Sequence, residues 1–120
     1  MQMEDSIPGA PANNPLPPCP DTPNCVLATR QFEMTPDALF ERVKQALQHM
    51  EASQIEVDPE TRRVDAVFPV FLFKDDVAVV IALHPSGSAL HIRSASRVGA
   101  YDFGVNRRRV QRFFETLETL

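Results

Sequence analysis

The sequence predicts an α+β fold, a two-layer sandwich in which a curved antiparallel sheet of about five strands carries two helices on one face. Three observations lead there. Two segments, 36–50 and 105–118, space their apolar residues by three and four, the period of a helix with one buried stripe. The chain between them breaks into β-rich runs joined by short turn-forming stretches, and short connections between neighbouring strands impose antiparallel pairing. At 120 residues there is room for one core and not for two. The predicted order is β-α-β-β-β-β-α.

Each element has its own signal. The first 23 residues hold seven of the eleven prolines, which remove backbone donors and fix φ, so residues 1–18 read as a flexible proline-rich arm and 19–120 as the single domain. The stretch CPDTPNC, Cys19 to Cys25, is a proline-stiffened turn, and VLATRQFEM after it suits a strand. Thr35-Pro36-Asp37 starts a helix with a hydroxyl cap, a proline at the first position and an acid in the first turn. Phe40, Val43, Leu47 and Met50 form its stripe.

SQIEVD, RRVDAVFPVFLF, DDVAVVIALH and SALHIRSAS then read as four strands, with turns at PET, KD and PSGS. Val77, Val79, Ile81 and Leu83 alternate with Asp76, Ala78, Val80 and Ala82. In the last strand Leu90, Ile92, Ser94 and Ser96 take the core face, and His91, Arg93 and Arg97 the other. Val110, Phe113, Phe114 and Leu117 mark the final helix.

Charge narrows the functional classes. The chain carries a formal −4, which argues against a general nucleic-acid binder, since phosphate neutralisation supplies nonspecific affinity. No apolar run approaches the length of a bilayer span. Yet between His91 and Arg112 stand six arginines and a single acid, Asp102. Such local asymmetry marks either an anion site or ion pairing across the fold.

The segment RSASRVGAYDFGVNRRRV concentrates that charge at a strand-to-helix junction. Arg107, Arg108 and Arg109 lie in the first turn or two of the last helix, where the backbone dipole is already positive and arginine is locally unfavourable. Something negative must offset them: Asp75, Asp76 or Asp102, or a bound anion on the helix N–H groups. Gly99 and Gly104 bracket a tight loop, and Asp102 or Asn106 is the expected helix cap. The ligand-binding set expected here is Arg93, Arg97, Asp102, Asn106 and Arg107, with Arg93, Arg97 and Arg107 converging on one anion.

Cys19 and Cys25 are the only cysteines, spaced so that a turn can join them. A disulfide, free thiols and zinc ligation all remain open at this point. Zinc would need two more ligands, and His49, His84 and His91 lack ligand spacing, so neither metal nor cofactor is expected. No phosphate-binding glycine loop, nucleophile elbow or carboxylate pair for acid–base work is present, so no catalytic residue is assigned and an enzyme is the less favoured class. The N-terminus has acids and prolines where an export signal has a basic start and an apolar run, which makes the cytoplasm the default. A disulfide would instead fit an oxidising compartment.

CPDTPNCVLA, DDV and RSASRVGAYDFGVNRRRV together resemble the bacterial and plastid proteins grouped as domain of unknown function 1499, over roughly residues 19 to 118. The resemblance implies that Cys19, Asn24, Cys25, Asp76, Ser94, Ser96, Gly99 and Gly104 shape a site to which Arg93, Arg97, Asp102, Asn106 and Arg107 belong. Members often carry a signal or membrane segment before the first cysteine, where this chain has its polar arm. Leu27-Ala28 replaces the two serines usual after the Cys turn. The family view adds one geometric expectation, that Asn24 and Asp102 lie close together. The resulting expectation is a non-enzymatic binding or accessory domain with an arginine-lined site for an anion or small ligand. The alternatives are an enzyme acting on an anionic small molecule, with Asp102 as its base, and a partner-binding or self-associating module using the open sheet face around Ala78, Val80 and Ala82.

Overall fold

The elements follow in the expected order in a computed structural model of the chain, which describes residues 14–99 and 101–120. They are β1 (Cys25–Phe32), α1 (Pro36–His49), β2 (Gln54–Asp58), β3 (Arg63–Val70), β4 (Phe73–His84), β5 (Gly87–Ser96) and α2 (Val105–Thr119). The strands form one antiparallel sheet in the order β1-β5-β4-β3-β2. Strands β2 to β5 are thus a meander, and β1 pairs with its last member, so α1 must cross the sheet from one edge to the other. That crossing lays α1 beside α2 on a single face.

Both helices are built as their sequences specify. Thr35 Oγ1 accepts the Ala38 N–H at 3.2 Å, and Pro36 spends no donor at the first position. Leu39, Phe40, Val43 and Leu47 of α1 meet Val110, Phe113, Phe114 and Leu117 of α2 over a floor that includes Val26, Val64, Val77, Val79, Leu90 and Ile92. Each such burial contributes roughly 1.5–3 kcal/mol. Phe113, 1% exposed, is a side chain whose truncation to alanine would cost about 3–5 kcal/mol.

Three details differ from the sequence reading. The β3–β4 turn falls at Phe71-Leu72 and not at Lys74-Asp75, because Val67 pairs with Asp76 and Phe68 with Asp75, which keeps both acids inside β4. Phe71 adopts φ 53 to close the turn. Leu83 shares the core-facing parity of Ile81 but is exposed, since it lies at the end of β4 past the helices. Residues 14–18, assigned to the arm, lie on the sheet: Asn14 Nδ2 donates to Thr29 Oγ1 at 3.2 Å, Leu16 is buried, and Pro17 O accepts from Arg93 Nε at 3.0 Å. The rest of the expected arm, 1–13, lies outside the described residues.

Candidate functional site

The Cys turn, the β3–β4 hairpin tip, the end of β5 and the start of α2 all emerge at one end of the sheet. Cys19 and Cys25 are joined in a disulfide, so the loop before β1 is covalently closed, and Asn24 beside it is buried. Asn24 Nδ2 donates to Gly99 O, which ties the Cys turn to the loop after β5. Gly99 and Gly104 have φ of 83° and 77°, the left-handed conformation that glycine adopts most cheaply.

Asn106 is the hub of this end. It is fully buried on the phase of the apolar stripe, one turn before Val110. Its Nδ2 donates to Asp102 Oδ2 at 2.8 Å, Ser96 Oγ at 2.9 Å and Asn24 O at 3.2 Å. Its Oδ1 accepts from Ser94 Oγ at 2.6 Å and Arg109 Nη1 at 2.7 Å. The expected proximity of Asn24 and Asp102 is therefore present, with Asn106 bridging them. Asp102 caps α2 from outside, accepting the N–H groups of Gly104 and Asn106 at 2.9 Å each. Burial alone would raise its pKa, but the hydrogen bonds from Asn106 and Gly104 outweigh it and hold the carboxyl below its ordinary value.

The arginines are divided among three environments. Arg109 is turned inward, 2.8 Å from Asp75 with side chains only 9% and 4% exposed, and its guanidinium stands 4.9 Å from the centre of the Phe68 ring. Asp75 Oδ2 receives that charge without the alignment of a hydrogen bond. Arg97 forms a two-pronged pair with Asp76, at 2.9 Å on each contact, on the open face of the sheet. Arg93 is on that same face, held by Pro17 O, beside a groove of about 370 Å³ that it lines together with Glu56 and the Arg97–Asp76 and Arg63–Asp65 pairs. Arg107 sits on α2, on the helical side, and is exposed. Arg93, Arg97 and Arg107 thus do not converge: the strand parity that puts the first two on the open face separates them from the third. His91, expected among those arginines, is instead buried under residues 14–18 and hydrogen-bonded to Thr29 Oγ1 at 2.9 Å. Burial lowers its pKa.

Between the hairpin tip and the 98–104 loop lies a cleft of about 660 Å³ with a mainly apolar lining. Phe71, Phe73, Val98, Tyr101 and Phe103 form its walls, with Asp75, Ser96 and Asp102 at polar points. Phe71 is 100% exposed and Leu72 94%. Tyr101 packs edge-on against Phe103 with centroids 5.0 Å apart. Sequence reasoning passed over this cleft, and it named Asp75 as one of three candidate partners for Arg107, Arg108 and Arg109 without singling out the Asp75–Arg109 pair. The available signal was parity: Asp75 shares the phase of Val77, and an inward acid requires an inward cation.

A family model described as protein of unknown function (DUF1499) matches residues 15–117. The chain belongs to the DUF1499 family. No curated protein matches it. Among solved structures, the protein MLL2253 from Mesorhizobium loti is 15% identical, with a TM-score of 0.61 over 79% of this chain and 94% of that one. The protein CV1439 from Chromobacterium violaceum is 11% identical, with a TM-score of 0.59 over 81% and 96%. At those identities the likeness establishes the shared fold of this DUF1499 chain and these two proteins. Among the described residues no cluster of three or more His, Cys, Asp or Glu could hold a metal ion, and no helix is long and apolar enough to cross a membrane.

Proposed function

We propose that this DUF1499 domain is a non-enzymatic binding module whose ligand enters the cleft between the β3–β4 tip and the 98–104 loop. The observation that carries the reading is the cleft itself: exposed aromatic and aliphatic side chains on two separate loops face one concavity, and an apolar patch of that kind is costly to keep in water without a partner. Lys74 follows the wall residue Phe73, and Arg108 Nη1 donates to the carbonyl of the wall residue Phe103 at 2.9 Å, so the favoured ligand has an apolar body and an anionic group. In this reading Asp102, Asn106, Asn24, Ser94 and Ser96 form the frame, and Arg97, paired with Asp76 on the open face, lies outside the cleft. Arg93 lies outside the site.

Two features weigh against catalysis by Asp102. Its carboxylate is committed to the start of α2 and has a depressed pKa, which makes it a poor base. Arg93 and Arg97, expected in the ligand-binding set, border the open-face groove and not this cleft, so they are not placed to hold a substrate there. The Cys19–Cys25 bridge favours an oxidising compartment over the cytoplasmic default.

Isothermal titration with dodecyl phosphate and with inorganic phosphate tests the proposal. Binding of the first and not the second is expected, with loss of heat in Phe103→Ser. Equal binding of both, or binding untouched by that substitution, would refute the cleft as the site.

A further inference from the structure

The cleft is bordered by a hairpin turn whose chemistry is unusual for a surface. A solvent-facing β-turn ordinarily draws on Gly, Asn, Asp, Pro or Ser. Here the turn is Phe71-Leu72, the most exposed apolar pair in the structure, and Phe71 takes a left-handed φ that a phenylalanine adopts at a cost. Neither side chain is packed on the domain, so the fold does not account for them.

Basic residues follow the apolar ones closely on the β3–β4 hairpin and on the loop that leads into α2, while the Cys turn at the same end carries no cation. Lys74 comes directly after Phe73, and its carbonyl accepts the Arg97 N–H at 3.2 Å, which places Arg97 and Val98 beside it. Arg107 and Arg108 occupy the first turn of α2, and Arg108 Nη1 donates to Phe103 O at 2.9 Å, so this cation is anchored to the aromatic loop. The start of α2 adds its own partial positive charge. Three of the acids at this end are engaged, Asp75 with Arg109, Asp76 with Arg97 and Asp102 with the α2 backbone, and Asp21 on the Cys turn is exposed. Glu51 lies behind the collar, in the groove it shares with Arg108 and Arg112. The loops at the opposite end of the sheet carry Glu33, Asp37, Asp58 and Glu60 against one cation, Arg62, which pairs with Asp37 at 2.9 Å. A chain of net −4 is thereby polarised, basic at the apolar tip and acidic away from it.

We propose that this end docks on an anionic lipid bilayer, with Phe71, Leu72 and Phe103 entering the interface and Lys74, Arg107 and Arg108 contacting headgroup phosphates. The inference rests on reading this end as the binding surface. The order of chemistry with height, apolar tip, then aromatic ring, then cation, matches the order from acyl chains through the interface to the headgroups. Entry is shallow, to the headgroup–acyl boundary, because the backbone of a two-residue turn still needs hydrogen-bond partners that hydrocarbon lacks. Attraction between the basic collar and the anionic surface orients the domain before the side chains enter, and salt screens that step.

Flotation of the full chain with vesicles is the test, using phosphatidylcholine alone and phosphatidylcholine with 30% phosphatidylglycerol, about 30% being a composition that gives a clearly negative surface. The expected result is binding to the anionic vesicles at least about tenfold stronger than to the neutral ones, weakened by 0.5 M salt, a concentration at which the Debye length falls to about 4 Å. Phe71→Asp with Leu72→Asp should reduce it by about tenfold or more, and Lys74→Glu with Arg108→Glu should remove the preference for anionic lipid. Both pairs lie on the surface, and circular dichroism confirms that the variants fold. Binding unchanged by the tip substitutions overturns the inference. Absence of vesicle binding while dodecyl phosphate still binds also overturns it, and leaves the cleft as a site for a soluble ligand. Failure of both probes removes the binding reading as well. A shift to dimer that the tip substitutions abolish, without vesicle binding, would assign the surface to a second copy of the chain and overturn the lipid proposal.

Discussion

Replacing Arg109 by methionine should be among the most damaging single changes at the turn end. The side chain stands 2.8 Å from Asp75 with both groups almost wholly buried. At an effective dielectric of about 20 the gross attraction at that separation is about 6 kcal/mol, much of which offsets the desolvation of both ions. Methionine fills similar space but leaves the Asp75 carboxylate alone in the interior. It also removes the donor that Asn106 Oδ1 and Ser94 Oγ receive at 2.7 and 3.2 Å. Breaking one side of a buried pair costs about 3–5 kcal/mol, a large part of the roughly 5–15 kcal/mol that holds a domain folded. Urea denaturation should therefore move to a midpoint lower by about 2 M, for an m-value near 2 kcal/mol/M. Adding Asp75→Leu to Arg109→Met should recover much of the loss, because the uncompensated charge is gone. A single variant losing under about 1 kcal/mol, or a double variant no better than the single, would refute the claim that the pair acts as a buried charge couple.

Two further outcomes concern pH. Asp102→Ala should cost about 1–2 kcal/mol through loss of the α2 cap. Because the folded pKa of Asp102 is depressed, its contribution is present above the unfolded value near pH 4 and fades as pH falls through the folded value, so the wild-type and variant stabilities should approach each other in acid, as read by denaturation at several pH values. His91 is buried with a lowered pKa, so the fold favours its neutral form: stability is full above the unfolded value of about 6.5 and declines as pH falls below it, the unfolded chain alone taking up the proton. His91→Gln keeps a polar partner for Thr29 and should flatten the stability profile in that window.

What could be read from the sequence were the periodic elements. The stripes of α1 and α2 and the alternation in β4 and β5 each repeat one phase often enough to override local noise, and the Thr35-Pro36 start is a local rule obeyed locally. The β3–β4 turn escaped because Lys74-Asp75 has ordinary turn chemistry and Phe71-Leu72 does not. The register of Val67 with Asp76 settles the turn, and register is a property of two strands at once. The same holds for the arginines. Their number announced a charged junction, but only the phase of each residue on its element separates Arg109 facing Asp75 from Arg97 facing Asp76. Ser94 and Asn106 fall on core phases of β5 and α2. Polar residues on a core phase were the legible trace of the buried network.

That network and the apolar cleft belong to one arrangement. Loops that carry Phe71, Phe73, Tyr101 and Phe103 would gain by collapsing onto each other or onto the domain, which would close the concavity. The 98–104 loop is kept from doing so by a polar frame on its inner side: Asn24 holds Gly99, Asp102 holds the start of α2, and Asn106 joins both to β5. On the other side, Asp75 and Arg109 fix the base of the hairpin to α2. The disulfide closes the Cys turn that presents Asn24. A cleft held open before its ligand arrives avoids the ordering cost that a mobile pair of loops would incur on binding. Under the proposed cleft reading, the charged and amide residues that first suggested an anion site serve as the rigid support of an apolar one.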